Sequence, residues 1–217
     1  MRITIFGGHG KIALLLTPLL VEAGHEVRSV IRNPDHAADV EAAGATAVLS
    51  SLEEADTTTL TSLLSGTDAV VWSAGAGGDA ARTVAVDQDA AIRSMDAAEN
   101  ASVGRYVMVS FSAAFAEHHV DEYKPLRAYQ DAKIAADDHL RGTGLDWTIL
   151  APGTLTDDAG HHAVNPDATF MSGDEASRKL VAQVALAVLA DPRASRRTLV
   201  FGSGDTPLDT WLGHYQA

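Results

Sequence analysis

"RITIFGGHGKIALLLTPLL", residues 2 to 20, is the stretch that decides the fold. Residues 2 to 6 have the β-branched and aromatic content of a strand, and glycines stop it. From Ile12 onward the apolar residues Leu15, Leu16, Leu19 and Leu20 recur with helical period. In the turn between, "FGGHGKIA" (6 to 13), Gly7, Gly10 and Ala13 stand at G-x-x-G-x-x-A spacing. Gly7 permits the tight turn, Gly10 lets the backbone approach a pyrophosphate, and Ala13 lets the helix lie close on the sheet. The first helical amides have no intrahelical acceptor, and with the helix dipole they favour an anion. The turn is therefore expected to hold a dinucleotide, with Gly7, Gly8, His9, Gly10, Lys11 and Ile12 around it. The competing explanation is that the glycines serve the turn's sterics alone.

The same alternation continues along the chain. "EVRSVI" (26 to 31), "TAVL" (46 to 49), "DAVVWS" (68 to 73), "RYVMVS" (105 to 110), "DWTIL" (146 to 150) and "TLVF" (198 to 201) read as strands. Helical patterns fill 12 to 23, 35 to 43, 56 to 65, 83 to 102, 125 to 141 and 175 to 190. Unbroken Val/Ile runs suit strands buried on both faces, and intervening helices make the crossovers of a parallel sheet. The expectation is one α/β domain over residues 1 to 217: a doubly wound parallel sheet of about seven strands with helices on both faces. Ligands of such sheets sit beyond the carboxyl ends of the strands. Residues 151 to 217 are expected to supply the substrate side, and the irregular stretch from Gly153 to Asp174 suits a lid or substrate loop.

Composition narrows the chemistry. The 217 residues include no cysteine, which removes disulfides, thiolate metal sites and a thiol nucleophile. A net charge of -13 without a basic run argues against nucleic acid. No apolar run is long enough to span a membrane. The N-terminus enters a strand without a signal-like segment, so a cytoplasmic, soluble protein is expected.

At the end of the second strand, "SVIRNPDH" puts Arg32 where an acidic residue would select the ribose of NAD. A basic residue there suits a 2'-phosphate, so NADP is favoured and NAD kept as possible; the alternative is a surface pair with Asp35. Further on, "AYQDAK" (128 to 133) places Tyr129 and Lys133 four residues apart, on one helix face. A phenol is a poor base at neutral pH, and a nearby ammonium is expected to favour its ionised form.

Taken together, these segments resemble the atypical short-chain dehydrogenases/reductases, the NAD(P)H-binding and NAD-dependent epimerase/dehydratase-like group. The resemblance adds "TVAVDQDAAI", "RYVMVSFSAA" and "HLRGTGLDWTILAPGTLTDD" to the segments above and spans nearly the whole chain. It implies a Rossmann fold in which Ala74 and Gly75 line the cofactor and Ser51 and Leu52 flank the adenine, although many relatives carry Asp at the position of Ser51. It also implies a catalytic set of Tyr129, Lys133 and a serine, Ser112 first and Ser110 second, with Lys133 on the nicotinamide ribose. Relatives read Arg-Pro-Gly where this chain has Ala151-Pro152-Gly153, a loss that suggests a less polar substrate pocket.

The pairs His118/His119 and His161/His162 are adjacent rather than spaced to converge, so no metal site is expected. An NADP-dependent oxidoreductase acting on a small carbonyl or hydroxyl substrate is the first functional expectation. A cofactor-binding regulatory protein of the NmrA-like kind is the second, and a sugar epimerase or dehydratase the third. Oligomeric state is left open.

Overall fold

The computed structural model describes residues 1–77, 79–115, 126–159, 162–168 and 173–215. All seven expected strands form: β1 (Arg2–Phe6), β2 (Glu26–Ile31), β3 (Thr46–Leu49), β4 (Ala69–Trp72), β5 (Arg105–Val109), β6 (Trp147–Pro152) and β10 (Arg197–Ser203). They pair in parallel in the order β3-β2-β1-β4-β5-β6-β10. The order reverses between β1 and β4, and that switch opens a crevice at the carboxyl edge, directly beyond Phe6 and Trp72.

Sheet alternation divides the core in two. Ile3, Ile5, Val71, Val107 and Leu199 face α1 (Lys11–Glu22) and α7 (Arg178–Leu189). Phe6, Val70, Trp72, Tyr106 and Ile149 face α3 (Thr57–Leu63), α5 (Ala91–Asn100) and α6 (Leu126–Gly142). Period-two side chains with helices on both faces make this a doubly wound Rossmann fold.

The main sheet has nine strands among the described residues rather than about seven. β8 (Ala163–Asn165) and β11 (Thr206–Pro207) extend the β10 edge in antiparallel fashion. A separate ribbon pairs β7 (Thr154–Thr156) with β9 (Glu175–Ser177). Strands of two or three residues carry no readable hydrophobic period and exist through backbone pairing. The ribbon also moves the start of the last expected helix from 175 to Arg178, behind an N-cap in which the Ser177 hydroxyl accepts from the Leu180 amide at 3.0 Å.

The long helix expected over 83 to 102 has three parts: α4 (Ala80–Thr83), a π-helical segment (Val84–Ala90) and α5. Wide turns of this kind gather at functional sites. Here the segment carries Asp87, buried at the edge of the crevice. No described helix is long and apolar enough to cross a membrane.

Candidate functional site

The glycine turn is built as its backbone requires. Gly7 has φ +79°, and a Cβ there would lie 2.6 Å from the Ala74 backbone, so only glycine lets the turn meet the loop after β4. The Gly10 amide closes the turn on the Gly7 carbonyl at 2.8 Å. Gly8 does a different job from the one expected: its amide is spent on the Val30 carbonyl at 2.9 Å, and it packs against Ser29. Gly10 caps α1 without a side-chain acceptor, leaving first-turn amides for a ligand.

A cavity of about 320 Å³ lies beside this turn, bounded by Gly7, His9, Gly10, Arg32, Leu52 and the Ser73–Gly77 loop. Ser50 lines it, whereas Ser51, the residue expected there, does not. A second cavity of about 750 Å³ shares Ser73, Ala74, Gly75 and Gly77 with the first. Its other walls are Ile12, Asp87, Val109, Ser110, Tyr129, Lys133 and Leu155. Two cavities joined at the loop after β4, one of them beside the glycine turn, fit the two halves of a dinucleotide, with Tyr129 and Lys133 at the far half.

The serine at that far half is Ser110; Ser112 does not line the cavity. β5 ends at Val109, so Ser110 stands at the carboxyl edge, while Ser112 opens a 3-10 turn that carries its side chain inward. Ser112 is 4% exposed, and its hydroxyl has no hydrogen-bond partner among the described residues. The Ser110 hydroxyl donates to Asp137 Oδ2 at 2.5 Å. Lys133 is buried and donates from Nζ to the Val109 carbonyl at 2.9 Å.

A family model described as NAD(P)H-binding matches residues 7–192, from the first glycine of the turn to the loop after α7. The chain belongs to the NAD(P)H-binding family. It is 33% identical to the uncharacterized sugar epimerase YhfK of Bacillus subtilis over 211 residues, covering 96% of this chain and 97% of that one. A candidate NAD-dependent epimerase/dehydratase from Bacillus halodurans superposes with a TM-score of 0.89 at 29% identity, over 99% of both chains. The oxidoreductase ylbE of Lactococcus lactis shares the fold, with a TM-score of 0.87 at 23% identity over 100% of this chain and 99% of that one. These likenesses agree with the atypical short-chain dehydrogenase/reductase resemblance.

In this NAD(P)H-binding protein the cavity beside the glycine turn is more charged than the sequence indicates. Arg32 does not pair with Asp35; its Nη1 lies 3.4 Å from Glu53 Oε1. Glu53 is held mainly by Arg82, whose Nε donates to both carboxylate oxygens at 3.2 Å. Those bonds, helped by the Arg32 charge, keep the Glu53 carboxyl below the usual carboxylate range. Arg82 and Glu53 lie 50 and 21 residues from Arg32, so no local spacing marks them. His9 stacks on His36 with centroids 3.6 Å apart, and its Nε2 is 2.8 Å from Asp39 Oδ2. Lys11 points away from the turn to Asp157 Oδ2, at 2.6 Å.

Around Tyr129 the electrostatics run against the expectation that Lys133 draws it toward its phenolate. Burial pushes the Tyr129 hydroxyl up, and the carboxylates of Asp87 and Asp137 push the same way. Burial thus favours the neutral phenol of Tyr129. Lys133 is itself pushed down by burial and held up by Asp137 and Asp87. Burial raises both carboxyls, that of Asp137 to about 6. Asp87 accepts from the Ala76 amide at 3.0 Å through Oδ2, while its buried Oδ1 has no partner among the described residues. One cation between two carboxyls in a dry pocket is the arrangement that perturbs pKa values at functional sites.

Beyond Tyr129 a third cavity of about 350 Å³ shares Ser110, Leu126, Tyr129 and Leu155 with the second. Its outer wall is Phe111, the Pro152–Leu155 segment and Arg178, so residues after β6 do reach the site. Ala151 is fully buried and does not line it. The charge of this wall therefore comes from Arg178, a position the missing arginine at 151 does not reveal. His162 lies elsewhere, its Nδ1 2.5 Å from Gln183 Nε2. His118, His119 and His161 lie outside the described residues.

Proposed function

We propose that the protein reduces a small carbonyl compound with NADPH. The observation that carries this reading is the convergence of Tyr129, Lys133 and Ser110 on a cavity continuous with the glycine turn. Bound NADPH supplies a hydride from the nicotinamide to the carbonyl carbon. The chain supplies the rest. Tyr129, a neutral phenol, gives its proton to the carbonyl oxygen and recovers one from solvent through the open mouth of the cavity. Ser110 hydrogen-bonds the same oxygen once its own proton turns from Asp137 to the cavity, which a protonated Asp137 permits by donating to Ser110 Oγ. Lys133, braced on the Val109 carbonyl, positions the ribose.

Preference for NADPH is supported by Arg32 and Arg82 at the adenosine cavity. Glu53 occupies both guanidinium groups, so a 2'-phosphate would replace one carboxylate partner with a better-charged one. The name of the Bacillus subtilis relative keeps sugar epimerisation as a second reading, in which oxidised and reduced cofactor interconvert without net consumption.

The test is NADPH consumption over a panel of carbonyl compounds. Tyr129→Phe should abolish turnover while leaving NADPH affinity within about twofold. Equal rates in the variant would refute the role of Tyr129. If wild-type protein binds NADPH and consumes none, reduction fails and a cofactor-binding regulatory role replaces it. Arg32→Ala should weaken NADPH about tenfold more than NADH, the scale of one lost charge-assisted contact; equal losses would remove the 2'-phosphate assignment.

A further inference from the structure

The chamber beyond Tyr129 carries one charged group among its lining residues, Arg178, in otherwise apolar or uncharged walls. Its side chain is 23% exposed, and Nη1 donates to Asp157 Oδ1 at 2.7 Å. Nε and Nη2 have no partner among the described residues. Those two groups form one flat edge of the guanidinium, the edge that grips a carboxylate through two parallel bonds. Asp157 is 61% exposed and is tethered on its other oxygen by Lys11. The arginine is thus held in place from behind, with a two-donor edge free.

We propose that the substrate is an oxo acid: its carbonyl lies at Tyr129 and Ser110, and its carboxylate sits on the free edge of Arg178. This rests on the carbonyl-reduction reading and adds the substrate class to it. The chamber, about 350 Å³, suits a small acid. The partly dry setting makes a single ion pair count for more than it would at the surface. A phosphate dianion fits less well, because the next cation, Lys11, faces the far side of Asp157 and the chain carries a net charge of -13.

The experiment compares matched pairs, an oxo acid against its methyl ester and against an oxoalkyl phosphate of similar length, with NADPH saturating. The wild-type ratio of kcat/KM for acid over ester should exceed ten. Arg178→Met should lower that ratio at least tenfold, through KM rather than kcat, and Arg178→Lys should restore part of it. Asp157→Asn, which weakens the brace on Nη1 that holds the Nε/Nη2 edge in place, should lower the ratio about threefold and gives a second readout should Arg178→Met fold poorly. A ratio near one, a phosphate preferred over the acid, or a ratio indifferent to both positions would overturn the assignment. If no compound is consumed, the reduction reading has failed; the inference is then decided by calorimetry of the same acid with the NADPH complex. Arg178-dependent binding of the acid but not the ester upholds it, and absence of binding overturns it.

Discussion

Replacing Asp137 with asparagine should change how stability depends on pH, by an amount the structure sets. Asp137 is fully buried, and burial raises its carboxyl from 3.8 to about 6 against the pull of Lys133 and Ser110. The folded state therefore holds this proton more tightly than the unfolded chain. Its contribution to stability is complete below about pH 3.8 and disappears as pH rises through about 6. Two pK units at about 1.4 kcal/mol each give a full effect of about 3 kcal/mol. Between about pH 5 and pH 8, where the unfolded form is already ionised, the share left to lose is on the order of 1 kcal/mol. Carboxyls held low in the native state, such as Glu53 and Asp191, act in the opposite sense at lower pH and are common to both proteins. Asparagine keeps an acceptor for the Ser110 hydroxyl and the side-chain shape but cannot titrate. Urea unfolding of wild type and Asp137→Asn at several values between pH 5 and 8 measures the difference. Wild type should lose on the order of 1 kcal/mol relative to the variant across that window. Parallel curves would show that Asp137 is ionised throughout, and the dry, shared-charge account of Lys133 would fall with it.

Two further outcomes follow from the geometry. Gly7→Ala should destabilise the fold by about 2 kcal/mol, from left-handed backbone and overlap with Ala74, and should weaken NADPH binding at least tenfold; thermal shift with and without NADPH reads both, and wild-type affinity would separate the turn from the phosphates. Ser110→Ala should lower kcat about 100-fold with little change in KM, the scale of one lost transition-state hydrogen bond, while Ser112→Ala should alter it less than threefold; the reverse order would return the reacting role to Ser112.

The parts of this site that were legible in the sequence are those whose chemistry is local. Gly7 announces itself because a strand-to-helix turn forces its backbone, and Tyr129 and Lys133 because four residues make one helical turn. The choice of serine depends on where β5 stops, and a boundary two residues away turns Ser112 inward and leaves Ser110 at the edge. Asp137 follows Lys133 by one more turn of α6, a spacing present in the sequence, and Arg82 and Asp87 share one continuous helical stretch, but only the fold brings that stretch, α6 and Arg178 of α7 to one site. The Tyr129 proton illustrates the same limit. The lysine four residues on suggests a phenolate, yet burial favours the phenol, and Asp87 from another element and Asp137 from the same helix push the same way. The short strands after Pro152 escaped for another reason, since backbone pairing alone defines them.

That last feature has its own consequence. The wall formed by Thr154–Thr156, paired with Glu175–Ser177, is held by main-chain bonds, including the Thr154 amide on the Asp174 carbonyl at 2.9 Å. The exposed and half-buried side chains of Thr154–Thr156 can be exchanged with little effect on whether the ribbon forms, whereas Ala176 and Ser177 opposite them are buried and those of the central strands are locked into both cores. Chemical taste and architectural integrity are thereby carried by different stretches of the polypeptide, so a lineage can retune what it recognises without renegotiating how it folds.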